Sequence, residues 1–182
     1  MHQVIITGKP GAGKTTLLNE LKTHGYKTIS CDKVVDDLYQ VNHDGFKVIK
    51  KVLGPKFVNE SGVNKSALWT AIINQELTID VLNKLIHPLI NKQLQLLSFD
   101  FCECPIIGSP YLDHNRFVTI KLDVSDDVAM ERIMKHKHVS ATKAQKIINL
   151  FQDNIKTSVV FNTTGGINKT LVQKVINYYQ SL

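Results

Sequence analysis

The sequence lacks several features that define large classes of proteins. Its 182 residues contain no uninterrupted apolar run close to the roughly 18 residues that a membrane-spanning helix needs. The first residues show no basic segment followed by a long apolar one, so they do not indicate a secretory signal. The cysteines, Cys31, Cys102 and Cys104, are odd in number and lack the paired spacing of a zinc site. We therefore expect a cytoplasmic protein with reduced thiols and no membrane association.

Arginine is scarce as well. Arg116 and Arg132 are the only arginines among 22 basic side chains, and no block of basic residues accompanies the formal charge of +6. Because a lysine-rich surface explains this charge as well as a polyanionic ligand does, the charge alone indicates neither. Nucleic acid is not an expected partner, since the sequence has no RNA-binding signature. The length and a hydrophobic content of 43% are typical of one compact domain, which we expect to be a monomer or a weak oligomer.

Short runs rich in β-branched residues alternate with helical patterns along the chain. Strands are predicted at residues 4–7, 27–31, 99–107, 117–124 and 158–162. Near-continuous apolar strands between helices favour a parallel sheet that is covered on both faces. The expected fold class is α/β, a three-layer α/β/α arrangement with a parallel five-stranded sheet.

A long helical stretch interrupts this alternation. Residues 44–98 carry apolar side chains at helical spacing, and Pro88 inside this stretch predicts a break or kink near His87. We expect one domain, residues 1–182, with a helical insertion at about 44–98 and a helical lid at about 125–155. Its core would comprise about 1–43, 99–124 and 156–182. Ser125 is expected to cap the first helix of the lid.

The segment Gly8-Lys9-Pro10-Gly11-Ala12-Gly13-Lys14-Thr15 fits the P-loop pattern G-x-x-x-x-G-K-[S/T], and it lies between a predicted strand and a predicted helix. Glycines allow successive N–H groups to face the phosphates of a nucleotide, and the helix N-terminus adds partial positive charge. Lys14 can reach the β and γ phosphates, and the Thr15 hydroxyl can ligate Mg²⁺. The expected phosphate-binding residues are Gly8, Gly11, Ala12, Gly13, Lys14, Thr15 and Thr16.

A P-loop does not identify a reaction, because GTPases, motor ATPases and kinases share it. Asp32 follows the second predicted strand and is expected at the same edge of the sheet as the P-loop. A carboxylate there can accept the proton of a substrate hydroxyl as the phosphoryl group arrives. Asp32 is therefore a candidate general base, with the alternative that it only caps the next helix.

Three further segments resemble one family. Residues 28–39, which include Asp32, are similar to the dephospho-coenzyme A (dephospho-CoA) kinase segment in which an aspartate after the second strand begins a helix. Residues 57–68 are similar to that family's D-G-x-L-d-R-x-x-L stretch. Ile86-His87-Pro88-Leu89-Ile90 resembles its L-H-P-x-[IV] motif. Together with the P-loop, these segments span much of the chain in the order that the family has.

The resemblance implies a chemical reaction and roles for particular residues. It implies transfer of the ATP γ-phosphate to the ribose 3′-hydroxyl of dephospho-CoA, which yields coenzyme A and ADP with Mg²⁺ as the cofactor. Asp32 would be the general base, Lys14 would stabilise the phosphoryl group, and Thr15 would hold the metal. His87 and Pro88 would belong to the acceptor site.

The second half of the chain departs from the family pattern. Pro105-Ile106-Ile107-Gly108-Ser109 lacks the glutamate of the family's P-L-L-[FY]-E. Arg132 matches the arginine of the lid helix, but His136 stands where the family has a second arginine, and a histidine is only partly charged near neutral pH. Lys135 or Lys137 could substitute for it. The stretch between residues 151 and 158 is also shorter than the family's.

Two alternatives remain open at this point. The chain could phosphorylate another nucleoside or nucleotide, which the identity of the labelled acceptor would reveal. It could instead be an ATP-binding regulatory module without turnover, an idea favoured by the missing lid arginine. Such a module would bind ATP and release no ADP with any acceptor.

Overall fold

The computed structural model of the chain describes residues 2–104, 116–149 and 157–182. These residues form two compact units. The first unit comprises the described residues 2–30, 99–104, 116–149 and 157–182, and the second is Cys31–Ser98. The second unit therefore begins before residue 44, where the sequence places the start of the helical insertion. Within the described residues, no helix is both long enough and apolar enough to span a membrane.

A parallel sheet forms the centre of the first unit. Within the described residues its strands are five in number: β1 (Val4–Thr7), β2 (Thr28–Ser30), β5 (Phe101–Glu103), β6 (Val118–Asp123) and β7 (Val159–Asn162). Their order across the sheet is β2-β5-β1-β6-β7, and each neighbouring pair is parallel. The predicted five-stranded parallel sheet is confirmed. The predicted third strand also extended over residues 105–107, which lie outside the described residues.

Four helices of the first unit flank this sheet in the described part of the chain. They are α1 (Lys14–Thr23), α6 (Asp126–Lys137), α7 (Ala141–Asn149) and α8 (Lys169–Gln180). Each contributes apolar side chains to one core with β1, among them Leu17, Ile133, Ile148 and Val175. Because β1 is buried at all four positions, the sheet is covered on both sides of its central strand.

Side-chain caps differ from the expectation at α6. The Asn168 side chain accepts a hydrogen bond from Leu171 N at 2.9 Å and so caps α8. Ser125 occupies the N-cap position of α6, as predicted, but its side chain makes no capping hydrogen bond. The Ser125 N–H instead donates to Thr164 Oγ1 at 3.2 Å, which ties the start of α6 to the loop after β7.

A buried carboxylate anchors the C-terminal helix. Asp100 Oδ1 accepts a hydrogen bond of 2.7 Å from the Tyr179 hydroxyl, and its Oδ2 accepts one of 2.7 Å from Lys27 N. The Tyr179 ring also packs against Phe101 at 4.8 Å and edge-on against Tyr26 at 5.4 Å between ring centroids. Burial, together with the nearby Asp100 carboxylate, raises the pKa of Tyr179 to about 12, so the hydroxyl stays protonated and remains a donor.

The second unit is mainly helical. Its helices are α2 (Cys31–Leu38), α3 (Asp44–Val52), α4 (Lys65–Ile73) and α5 (Ile79–Leu96). A 3₁₀ turn at Pro55–Phe57 leads into a two-stranded antiparallel hairpin of β3 (Val58–Asn59) and β4 (Gly62–Val63). Apolar side chains from each of these helices form its core, among them Leu38, Ile49, Leu68, Ile90 and Leu94. The helical character predicted for residues 44–98 is confirmed, apart from this hairpin.

Of the break or kink predicted near His87, the break is wrong, because α5 continues through Pro88 to Leu96, and the kink stays a prediction. A proline removes one helical hydrogen bond, which would otherwise end on the carbonyl of Lys84. Pro88 and Lys84 are both exposed, so water can satisfy that carbonyl. Ile86, Ile90 and Leu94 are buried on the other side, and their burial keeps the helix continuous across the missing bond.

His87 is one of the buried polar residues of the second unit, with an exposed fraction of 5%. Burial lowers the pKa of His87 from 6.5 to about 4, because the charged imidazolium is poorly solvated there. The folded protein therefore holds this side chain neutral at physiological pH.

Replacing Tyr179 by Phe removes the hydrogen bond to Asp100 and leaves the ring in place. We expect the free energy of unfolding to fall by about 1–2 kcal/mol, since a buried acceptor loses a partner. Urea denaturation measures this loss. Tyr178→Phe is the matched control, because the Tyr178 hydroxyl has no hydrogen bond among the described residues and its removal should change stability by under about 0.5 kcal/mol. Equal losses in the two variants would contradict the anchoring role.

His87 makes stability depend on pH in a defined window. Between pH 6.5 and about 4 the unfolded chain binds a proton at this histidine that the folded chain does not, so stability falls as the pH falls through this window. His87→Gln should therefore lose less stability than the parent protein when the pH falls from 7 to 4.5. The urea midpoints at these two pH values measure the difference. The exposed His24 gives a control, and His24→Gln should keep the parental pH dependence. An unchanged dependence in His87→Gln would contradict the prediction.

Candidate active site

The P-loop connects β1 to α1 along the edge of the sheet where the parallel strands end. Gly8 and Gly11 have positive φ angles of 140° and 82°. A Cβ at Gly8 would lie 2.3 Å from the carbonyl oxygen of Leu122, and one at Gly11 would lie 2.7 Å from that of Ala129. Only glycine fits these two positions, because the backbone of another element lies directly against the loop.

Lys14 begins helix α1 and points back along the loop. Its ammonium group donates to the carbonyl oxygens of Gly8 at 2.7 Å and Lys9 at 3.1 Å, and the residue is 9% exposed. The N–H groups of the first turn of α1 have no acceptor within the helix. The loop therefore concentrates a lysine charge and the positive end of a helix at one place, which favours a phosphate ligand.

Glu103 adds a carboxylate to this place. The Thr15 hydroxyl lies 2.9 Å from Glu103 Oε1 and 3.0 Å from Oε2 and can donate to either. Glu103 is the last residue of β5, which pairs with β1 so that Ile6 lies opposite Glu103. Sequence reasoning missed this residue, because the strand was predicted over residues 99–107, which places Glu103 inside it rather than at its end.

Arg132 links helix α6 to the P-loop. Its guanidinium donates to the carbonyl oxygens of Gly11 at 3.0 Å, Thr163 at 2.8 Å and Thr164 at 3.3 Å. The Thr163 hydroxyl in turn donates to the Ala12 carbonyl at 2.9 Å. Thr163 was not predicted from the sequence, because nothing in its neighbours marks it. Both α6 and the loop after β7 therefore hold the P-loop backbone in its curled form.

A cleft of about 510 Å³ opens over these groups. Its lining includes the predicted phosphate-binding residues Gly11, Gly13, Lys14, Thr15 and Thr16. Glu103 and Arg132 also line it, as do the exposed His136 and the neighbouring Lys137 from the last turn of α6. All of these residues belong to the first unit. The cleft therefore brings basic side chains from α1 and α6 together with one carboxylate.

The other predicted site residues lie in the second unit or outside the described residues. Asp32 is exposed in the first turn of α2, which begins directly after β2. His87 and Pro88 lie in α5. The predicted departure at residues 105–109 and much of the shortened stretch after residue 151 fall outside the described residues.

A P-loop implies a nucleotide that brings Mg²⁺ with it, and the residues present fit that ion. Among the described residues, no cluster of three or more histidines, cysteines or carboxylates could hold a metal by itself. Mg²⁺ does not need one, because it is usually bound by one or two protein oxygens, water and the phosphates of its nucleotide. The Thr15 hydroxyl and the Glu103 carboxylate are such hard oxygen donors, and both line the cleft.

Known proteins resemble this chain along most of its length. A protein 29% identical over 150 residues, covering 79% of this chain and 75% of its own length, is the dephospho-CoA kinase of Photobacterium profundum. The dephospho-CoA kinase of Rickettsia typhi is 25% identical over 97% of this chain and 94% of its own. The solved dephospho-CoA kinase of Campylobacter jejuni covers 98% of this chain and 95% of its own with a TM-score of 0.63 and 20% identity, which is a likeness of fold.

The family model for dephospho-CoA kinase matches residues 2–158, which hold β1 to α7 and the cleft residues from Gly11 to Lys137. The chain therefore belongs to the dephospho-CoA kinase family.

Proposed function

We propose that this protein transfers the γ-phosphoryl group of ATP to the ribose 3′-hydroxyl of dephospho-CoA, the last step of coenzyme A biosynthesis. The observation that carries the proposal is the cleft in which Lys14, Thr15 and Glu103 meet at the P-loop. Membership of the dephospho-CoA kinase family supports the choice of acceptor. The relatives in Photobacterium profundum and Rickettsia typhi are both dephospho-CoA kinases.

In this proposal the P-loop residues bind and orient the nucleotide. The Lys14 ammonium and the amides of the first turn of α1 hold the phosphates, and Arg132 adds charge from α6. His136 and Lys137 supply further positive charge at the cleft, where the family resemblance expects a second lid arginine. Thr15 and Glu103 would hold Mg²⁺, which would withdraw negative charge from the phosphates.

The phosphoryl transfer itself needs one proton acceptor. As the 3′-oxygen bonds to the γ-phosphorus, the bond from that phosphorus to the oxygen of the β-phosphate breaks, and ADP leaves. Asp32 accepts the proton of the 3′-hydroxyl. Its support is positional, since Asp32 lies two residues after the end of β2, a strand that pairs in parallel with β5. His87 and Pro88 belong to the acceptor site in this proposal.

The direct test is ADP formation by the purified protein with Mg-ATP, with and without dephospho-CoA. We expect ADP release to depend on dephospho-CoA and to match coenzyme A formation mole for mole, measured by mass spectrometry of the product. Adenosine and AMP serve as control acceptors and should give little release. Equal ADP release without any acceptor, or with AMP in place of dephospho-CoA, would overturn the proposed acceptor.

Asp32→Asn tests the proton acceptor. We expect kcat to fall by about 10²-fold or more, because general base catalysis contributes about 10²–10⁴-fold, while ATP affinity changes little. Asp37→Asn is the matched control, because Asp37 is an exposed carboxylate on the same helix. Its Oδ2 lies 3.6 Å from Nδ1 of His43. Equal losses of kcat and of ATP affinity in Asp32→Asn would instead indicate a structural role for this carboxylate.

Glu103→Gln tests the metal position. The amide keeps the shape of the side chain but removes the charge that attracts Mg²⁺, so we expect kcat to fall by about 10²-fold. In the same variant, the Mg²⁺ concentration that gives half of the maximal rate should rise. Glu131→Gln removes a carboxylate from the exposed side of α6 and should leave both values unchanged. An unchanged Mg²⁺ requirement in Glu103→Gln would contradict this role.

A further inference from the structure

Lys9, the second residue of the P-loop, turns its side chain away from the cleft. Its ammonium forms an ion pair with the carboxylate of Asp126, in the first turn of α6. It lines a separate cavity of about 270 Å³ together with Lys121, Asp123 and Asn149, and it is not among the described residues that line the cleft. The side chain of Lys9 is 17% exposed and that of Asp126 is 67% exposed, so only the lysine end of the pair is shielded from water.

The backbone of the same residue faces the other way. The Lys9 carbonyl oxygen accepts a hydrogen bond of 3.1 Å from the Lys14 ammonium and one of 3.1 Å from Ala12 N. Lys9 therefore joins two parts of the site. Its side chain binds α6, and its backbone forms part of the cradle around the lysine that we assign to the phosphates.

Helix α6 contacts the P-loop at two more points. Gly11 lies so close to Ala129 that a Cβ on the glycine would be 2.7 Å from the Ala129 carbonyl oxygen. One turn further along, the Arg132 guanidinium donates to the Gly11 carbonyl at 3.0 Å. Asp126, Ala129 and Arg132 follow one another at intervals of three residues, so they share one side of the helix. The ion pair is the first of three contacts along that side.

We propose that Lys9 and Asp126 are positioning residues, whose ion pair holds the start of α6 against the P-loop and thereby sets Arg132 and the Lys14 cradle for the nucleotide. Neither side chain touches the nucleotide in this arrangement. The inference rests on the proposed function, because in that proposal Lys14 holds the phosphates of ATP and Arg132 adds positive charge beside them. It adds a role for Lys9, which occupies a variable position of the P-loop pattern, and for Asp126, which lies outside that pattern.

Asp126 has a natural matched control in Asp127. Both carboxylates lie in the first turn of α6, where a negative charge stabilises the helix dipole. Asp127 has no ion pair among the described residues, whereas Asp126 pairs with Lys9. A comparison of Asp126→Asn with Asp127→Asn therefore separates the contact with the P-loop from the general effect of charge on the helix. Asp126→Glu keeps the carboxylate and should preserve binding.

The experiment is calorimetric titration of each variant with Mg-ADP, well below its melting temperature. We expect Lys9→Met and Asp126→Asn each to weaken Mg-ADP binding by about two- to fivefold, the range of a partly exposed ion pair. The double variant should bind no more weakly than the weaker single variant, because the two residues act through one contact. Asp127→Asn and Asp126→Glu should stay within about 1.5-fold of the parent protein.

The possible failures are distinguishable. Failure of the parent protein to bind Mg-ADP would overturn the proposed function and the pairing together. Parental binding by Lys9→Met would overturn the pairing alone. Equal weakening by Asp126→Asn and Asp127→Asn would assign the effect to the helix dipole, and a double variant as weak as the product of the two single effects would show that Lys9 and Asp126 act independently.

Discussion

The parallel pairing of β1 with β5 brings Glu103 next to Thr15, although the two residues are 88 positions apart in the chain. The register that places Ile6 opposite Glu103 also brings the Glu103 carboxylate within 3.0 Å of the Thr15 hydroxyl. On the other side of β1, the pairing with β6 carries the chain into α6, which lies against the loop at Gly11. The strands on either side of β1, which are β5 and β6, therefore place Glu103 and, through α6, Arg132 beside the P-loop, which begins where β1 ends. The site depends on this register more than on any single side chain.

The sequence was sufficient for those parts of the structure that are encoded locally. The alternation of β-branched runs with helical patterns predicts the order of strands and helices, because each element is determined by residues close to one another. The P-loop is predictable for the same reason, since its glycines and Lys14 form one short pattern that opens α1. The two short strands of the hairpin β3 and β4 were missed, because two residues are too few to show an alternation.

The contacts that were missed at the site depend on tertiary structure. Glu103 lies on a strand that the sequence predicts, but only the register with β1 shows that it reaches Thr15. Thr163 bonds to the carbonyl of Ala12, which is 151 positions away. Pro88 shows that a local signal can also give a wrong prediction. Proline strongly disfavours the interior of a helix, but the burial of side chains on the other side of α5 outweighs this preference. Roles for Asp32 and His87 stay predictions, since neither lies in the cleft of the first unit.

The tight contact between Gly11 and Ala129 determines which residue the P-loop can carry at position 11. A Cβ at Gly11 would lie 2.7 Å from the Ala129 carbonyl oxygen, so no side chain fits between the P-loop and α6 at this point. Together with the Lys9–Asp126 ion pair and the Arg132 hydrogen bond, this contact packs the first two turns of α6 against the P-loop. A side chain at position 11 would therefore separate the P-loop from α6 and would also disturb the hydrogen bond from Arg132 to the Gly11 carbonyl.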